Sequence, residues 1–317
     1  MSDPVMTIGK APLRRVEELR IPNRISHFTT DEALIDRHRH WLAPHFLDAQ
    51  GMFDLVFQSW IVEVDGRVVL VDPCTGNGKP HPVPFFDMLD VPYIERMAES
   101  GYRPEDIDLV VCTHLHHDHC GWNTRLRDGK WIPTFPNARY VMQQAEVNRW
   151  GTGRDAFPEF AYNDGVFERS IQPVLEAGLA DLISGDHRLC AGLAVEAAPG
   201  HTAGHQMLHL VSDGRQAWFT GDSFHHPIQL VDPAIPFGDA EDQVAVEAMR
   251  RKLVKLAIDH DALLIPAHLP APHAIRAWRE EGEGRVTAAA AGWGKAGGWT
   301  VRTGRTHEEH AWQQCSP

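Results

Sequence analysis

Nine consecutive residues, Thr113 to Gly121 (THLHHDHCG), hold four histidines and one aspartate. Imidazole and carboxylate together suit a transition metal: zinc first, with iron, manganese, cobalt or nickel as alternatives. His114 and His116 are separated by one residue, as are His116 and Asp118. Alternate side chains of an extended loop point the same way. His114 and His116 can therefore address one metal, while Asp118 and His119, one step on, can turn toward a second. Three further candidate ligands stand where apolar runs end: His201 in PGHTAGH, Asp222 in TGDS and His268 in PAHLP. The bland alternative is a histidine-rich surface loop. It is disfavoured because IDLVVC (Ile107–Cys112), a continuous apolar run that reads as a buried strand, leads straight into the histidines.

Such a cluster needs a scaffold that brings strand ends together. The pattern predicts a helix over Asp31–Phe46 with Thr30 as N-cap, then a hairpin across Asp65-Gly66 whose return strand ends at Asp72. A helix is expected over Tyr93–Glu99, a strand over Arg139–Met142 and a helical stretch near Gln144. Residues 151–180 carry no clear period and read as a long excursion, a lid. The second half repeats the logic. A strand over Leu193–Ala197 runs into His201, and a second hairpin crosses Asp213-Gly214 and ends at Asp222. A helix bearing Val246, Met249, Leu253 and Leu256 follows, then a strand over Ala262–Ile265 that runs on to His268. The expectation is an α/β fold of two β-sheet halves packed face to face with helices outside. Residues 1–50 read as an N-terminal extension, 51–275 as the functional domain, and 276–317 as a C-terminal segment without a clear period.

Composition narrows the function classes. The 317 residues carry a net charge of −13, which argues against nucleic acid as a partner. No stretch of about twenty apolar residues exists to cross a membrane. MSDPVMTIGKAPLRR has no apolar core of a signal peptide. The five cysteines (Cys74, Cys112, Cys120, Cys190, Cys315) are scattered and form no CxxC pair, as in a cytoplasmic protein with reduced thiols.

The order HLHHDH, PGHTAGH, TGDS, PAHLP resembles the metallo-β-lactamase fold superfamily, whose pattern is HxHxDH, a later His, a bridging Asp and a last His. The resemblance covers about Ser59 to Pro270. It implies an αββα sandwich of two mixed sheets, with the metals at one edge. Carried over residue by residue, it implies that His114, His116 and His201 bind one metal. Asp118, His119 and His268 would bind the other, and Asp222 would bridge. Two divalent cations sharing a water lower its pKa toward neutrality, and Asp118 is placed to relay a proton. The expected activity is hydrolysis of a lactone or ester carbonyl by that bridging hydroxide.

The remaining residues divide by chemistry. In lactone-opening relatives a tyrosine three residues after the bridging aspartate touches the substrate; here that position is His225, a candidate donor to the substrate oxygen. His117 is expected to point away from the metals. His205 is expected to hydrogen-bond the metal loop, Asp72 to support it, and Cys120 to be a small buried residue. His38, His40 and His45 read as a solvated helix face. Trp122, Phe224, Phe85, Phe86 and Trp150 are candidate pocket walls or core.

Length, charge and the missing extra domains leave the single-domain hydrolase group. N-acyl homoserine lactonases come first, with organophosphate and β-lactam hydrolases as alternatives. An iron-dependent oxidoreductase of the persulfide-dioxygenase type and a metal sensor without turnover are the readings from other classes. The resemblance further implies a small-molecule substrate and a homodimer.

Overall fold

The computed structural model describes residues 6–151, 158–238, 240–279 and 286–291. Two seven-stranded sheets form its centre. The first runs in the order β1 (Met6–Ile8), β2 (Ala11–Arg24), β3 (Met52–Val64), β4 (Arg67–Val71), β5 (Leu109–Val111), β8 (Arg139–Gln143), β9 (Ala180–Ile183). The strand pair β6 (Thr124–Arg127) and β7 (Lys130–Pro133) stands apart from it. The second sheet runs in sequence order: β10 (His187–Cys190), β11 (Leu193–Ala197), β12 (Gln206–Ser212), β13 (Arg215–Gly221), β14 (Leu263–Pro266), β15 (Ile275–Arg279), β16 (Val286–Ala290).

Strand alternation builds three apolar layers. Val69 and Val71 of β4, Val111 of β5 and Val141 of β8 face inward. They meet Ala217 and Phe219 of β13 and Leu263 and Ile265 of β14. The intervening residues point out. Leu70, Val110 and Tyr140 pack under Tyr93 and Met97 of α2 (Tyr93–Glu99). Trp218 and Leu264 pack under α1 (Glu32–Leu42) and α7 (Gln243–Asp259), through Trp41, Leu42, Leu253 and Val254. The result is the expected αββα sandwich.

Both DG hairpins form. Asp65-Gly66 joins β3 to β4 and Asp213-Gly214 joins β12 to β13, with φ of 53° and 70° in the first and 50° and 74° in the second. Positive φ at both positions matches the right-handed twist of the flanking strands.

Four sequence expectations change. The cap of α1 is Asp31, whose carboxylate accepts the Leu34 N–H at 3.0 Å, and not Thr30. His38 is buried and accepts the Trp41 indole N–H at 3.1 Å, so only His40 and His45 are solvated. The lead-in supplies β1 and β2, and β2 pairs with β3 along nearly its whole length. The excursion after residue 151 is packed down where it is described. It holds α5 (Gln172–Glu176), and Val166, Ile171 and Val174 are buried against the outer face of the first sheet.

Candidate metal centre

Parallel pairing sets the site. β4 lies beside β5 and β13 beside β14, each pair parallel. The loops after those strands, carrying Asp72, Thr113–His119, Asp222 and His268, therefore leave the sandwich at one edge. Asp72 fixes the start of the histidine loop: Oδ1 accepts the Thr113 N–H at 2.6 Å and Oδ2 accepts the Thr113 hydroxyl at 2.9 Å. Gly121 lets the loop cross the chain after β4. A Cβ there would fall 1.8 Å from the Thr75 carbonyl oxygen.

The structure brings all seven candidate ligands to this edge. Nε2 of His114, Nδ1 of His116 and Nε2 of His201 lie 2.9–3.1 Å from one another. Nε2 of His119 and Nε2 of His268 are 3.3 Å apart, and each lies 3.5–3.6 Å from Asp118 Oδ2. Asp222 stands between the two groups. Its Oδ2 is 3.4 Å from His201 Nε2 and 3.3 Å from His119 Nε2, and its Oδ1 is 3.1 Å from His268 Nε2.

The outer nitrogens of three of these rings are hydrogen-bonded as well, and that of a fourth, His119, faces a carboxylate. His114 Nδ1 faces Thr113 Oγ1 at 3.1 Å, and that hydroxyl already donates to Asp72. His116 Nε2 meets the Tyr162 hydroxyl at 3.2 Å. His119 Nδ1 lies 3.0 Å from Asp72 Oδ2, and His268 Nδ1 donates to the Val56 carbonyl at 3.2 Å. Such contacts hold a ring's tautomer and leave the inner nitrogen as a lone pair.

These features fit two cations. A tetrahedral zinc site with bonds of about 2.0–2.1 Å has donor–donor edges of about 3.3 Å, and the separations above lie close to that. Burial, reinforced by the neighbouring imidazoles, holds His114 and His116 well below the usual histidine range and His201 down to about 3. All three are neutral donors. In the second group burial works against charge, but Asp222 and Asp118 outweigh it and raise His119 and His268. That pocket attracts positive charge.

The other expected residues separate cleanly. His205 donates from Nδ1 to the Ala198 carbonyl and accepts the Asp222 N–H at Nε2, both at 3.1 Å, so it holds the Asp222 loop. His225 is buried, with Nε2 3.0 Å from Asp222 Oδ2. His117 turns away from the two groups and packs on His81 and Phe86. Cys120 is fully buried, and its thiol donates to the His116 carbonyl. Trp122 stacks on Tyr93 and Phe224 is fully buried, so both are core.

Sequence reasoning missed two buried carboxylates. Glu146 of α4 (Gln144–Gly151) accepts the Leu115 N–H at 2.9 Å, the Gly204 N–H at 2.8 Å and the Trp150 indole N–H at 3.0 Å. It thereby ties the first histidine loop to the loop of His201. Glu18 of β2 accepts the N–H groups of Thr75 and Gly76 and the Trp122 indole, at 2.7–2.9 Å. The only signal for Glu146 was its position four residues before Trp150 on a helix that begins where a strand ends.

Comparison with known proteins agrees with this geometry. The chain is 24% identical to an N-acyl homoserine lactonase of Bacillus cereus over 213 residues, covering 63% of this chain and 76% of that protein. It is 26% identical to N-acyl homoserine lactonase AttM of Rhizobium radiobacter over 56% of this chain and 64% of that one. A match to a Bacillus sp. lactonase, at 25% identity, spans 49% of this chain and 53% of the relative. In structure, the chain superposes on the hydrolase AbOPH with a TM-score of 0.73 at 20% identity, covering 92% of this chain and 98% of that one. It superposes on AidC, a dizinc quorum-quenching lactonase in complex with its product, with a TM-score of 0.70 at 18% identity, covering 93% and 99%. No described helix is long and apolar enough to cross a membrane. The family profile of the metallo-beta-lactamase superfamily matches residues 58–268, from the third strand to the last histidine of the centre, and the chain belongs to that superfamily.

Proposed function

We propose that the protein is a dimetal hydrolase that opens a lactone or ester, with N-acyl homoserine lactones as the first substrate class to test. The observation that carries this is Asp222 standing between two three-residue groups, each with the spacing of a metal site. His114, His116 and His201 would hold one divalent ion and Asp118, His119 and His268 the other, with Asp222 shared; zinc suits the donors. The bound ions supply Lewis acidity and a hydroxide nucleophile at neutral pH.

The chain's own residues supply the rest. Asp118 Oδ2 faces His119 and His268, while Oδ1 lies 3.7 Å from His117 Nε2, outside hydrogen-bond distance. Oδ1 can take a proton from the attacking water and return it to the leaving alkoxide. His225 borders both groups, its ring 5.4 Å from His201 and 5.7 Å from His268. In this reading it donates a hydrogen bond to the substrate carbonyl or leaving oxygen. Homodimerisation is part of the proposal only through the resemblance to lactonases, and a sedimentation measurement tests it.

The test is one substrate panel on zinc-loaded protein: acyl-homoserine lactones, simple lactones, aryl esters, a phosphotriester and a β-lactam. We expect metal-dependent opening of lactones or esters, abolished in Asp118→Asn. Silence across the panel, with a single iron in the purified protein, overturns the hydrolase reading.

A further inference from the structure

His225 is tied by fewer polar contacts than the histidines beside it. His226 is engaged at both ring nitrogens: Nε2 donates to the Phe46 carbonyl at 2.8 Å and Nδ1 accepts the Ile228 N–H at 3.1 Å. His205 is likewise engaged at both. The backbone of His225 is fixed, its N–H donating to Oε1 of the buried Gln229 at 2.9 Å. Its ring has one polar contact among the described residues, from Nε2 to Asp222 Oδ2, while Nδ1 is buried without a partner. Asp222 is the carboxylate placed to bridge the two ions, and bound ions draw on that same oxygen. The orientation of the His225 ring then rests on packing.

That packing comes from Phe237. Its ring centroid lies 4.4 Å from that of His225, with 36° between the planes. Phe237 in turn stacks on Phe28, at 4.5 Å and 8°. Phe28 is itself buried and packs on Phe53 and His226. Phe28 directly follows the 3-10 turn after β2, so the N-terminal lead-in reaches the metal centre in two steps, through Phe237 to His225. The chain around Phe237 is anchored as well. Gln243 Nε2 donates to the Phe237 carbonyl at 3.2 Å, and the Glu241 and Asp242 N–H groups donate to the carbonyls of His201 and Gly200 at 3.0 and 2.9 Å. Phe237 is therefore a backed ring on an anchored segment, laid against an imidazole with a single polar tie.

We propose that Phe237 is the positioning residue of His225. Its ring, backed by Phe28, keeps Nε2 of His225 toward the two ion groups when Asp222 is engaged by the ions. The imidazole then meets the substrate oxygen already oriented, which is where enzymes gain rate from fixed geometry. A flat ring packed against an aromatic face holds its rotamer without a second hydrogen bond. This rests on the hydrolase reading above and on the donor role of His225 within it, and adds the residue on which that role depends.

The test is a double-mutant cycle of F237A and H225A on the full zinc-loaded chain, with N-hexanoyl homoserine lactone, or with 4-nitrophenyl acetate where only the ester is cleaved. F237A alone should lower kcat by about tenfold with KM little changed. In the H225A background it should cost no more than about twofold, because the residue it positions is gone. An equal loss in both backgrounds, or a loss in KM alone, makes Phe237 a wall of the substrate site and overturns the positioning role. Imidazole 15N NMR of the same zinc-loaded proteins reads the contact without turnover, with the His225 signals assigned by their absence in H225A. The wild type should show one sharp His225 tautomer. F237A should broaden or average those signals and leave the other histidines in place. Unchanged His225 signals in F237A overturn the proposal whatever the rates. Disturbed His225 signals with neither substrate cleaved support the contact and remove the hydrolase reading. If F237A does not fold, F237L, which keeps apolar volume and loses the flat ring, is read in the same way.

Discussion

Oδ2 of Asp72 lies 3.0 Å from Nδ1 of His119, although the two residues belong to loops after different strands. The same carboxylate holds the backbone and hydroxyl of Thr113, so one side chain sets both the loop's start and the orientation of a ring further along it. Asp72→Asn keeps the size and loses the negative charge that favours an Nδ1–H tautomer. Zinc affinity should drop by about 10–100-fold, measured by competition with a chromophoric chelator. An unchanged affinity would show that the contact is incidental.

Asp118→Asn should retain near-normal zinc content and lose turnover by a factor on the order of 10²–10⁴. Metal analysis on the same preparation used for kinetics separates a proton-transfer defect from a binding defect. Wild-type-like turnover with full metal would end the proposed role.

Glu146 is the clip between the two histidine loops, and its carboxylate accepts three N–H groups in a buried site. In Glu146→Gln one of those N–H groups must face an amide NH2. The cost should be about 1–3 kcal/mol in urea unfolding at neutral pH, together with weaker zinc binding. Loss of stability with zinc affinity intact would make Glu146 a packing residue only.

Lys79 gives a pH prediction with a definite sign. Its folded pKa is depressed to about 7 from a usual 10.5, so between these values the unfolded chain binds more protons. Stability from this group therefore rises as pH is raised from 7 toward 10.5 and is lost as pH falls through that window. The groups around it are Arg169, which adds to the depression, and Cys120 and Glu18, which oppose it. His81 and His117 share its pocket. K79M should flatten this slope and be more stable than the wild type at pH 7, on the order of 2 kcal/mol, since it removes a buried cation. A destabilised K79M with an unchanged pH slope would contradict the picture.

Removing metal with a chelator should lower Tm by several degrees, restored by added zinc, because ions that bind only the folded state stabilise it by mass action. The effect should vanish in His114→Ala combined with His268→Ala. A chelator-insensitive Tm in the wild type would count against both metal groups.

Much of this is legible in the sequence itself. Asp65-Gly66 and Asp213-Gly214 announced the hairpins because only a turn with positive φ wants that pair. Apolar runs ending in His or Asp announced the edge, because short continuous apolar runs such as VVLV and LVVC fit strands buried on both faces. β2 was hidden. Its run RRVEELR reads as solvated charge, and a bulge between Glu17 and Leu19 breaks the alternation that would have revealed it. The same bulge coincides with a buried carboxylate, Glu18, that no periodicity assigns to the inside. His38 was misread because its indole partner, Trp41, lies three residues on, and helix-face polarity does not show such a pairing. Tyr162 sits in a stretch without period, so only the fold shows that it reaches His116.

Glu18 belongs to the second strand of the chain, yet it holds the loop on which the first histidine cluster rests. His268 lies on the far side of the sequence. During synthesis, then, the foundation of the centre leaves the ribosome first and its last member emerges only after fourteen of the described strands have been made. A nascent chain can offer the Thr113–His119 loop to an ion long before the partners from the second sheet exist. Both three-residue groups, and with them any complete set of donors for an ion, therefore exist only once strands of the second sheet are made.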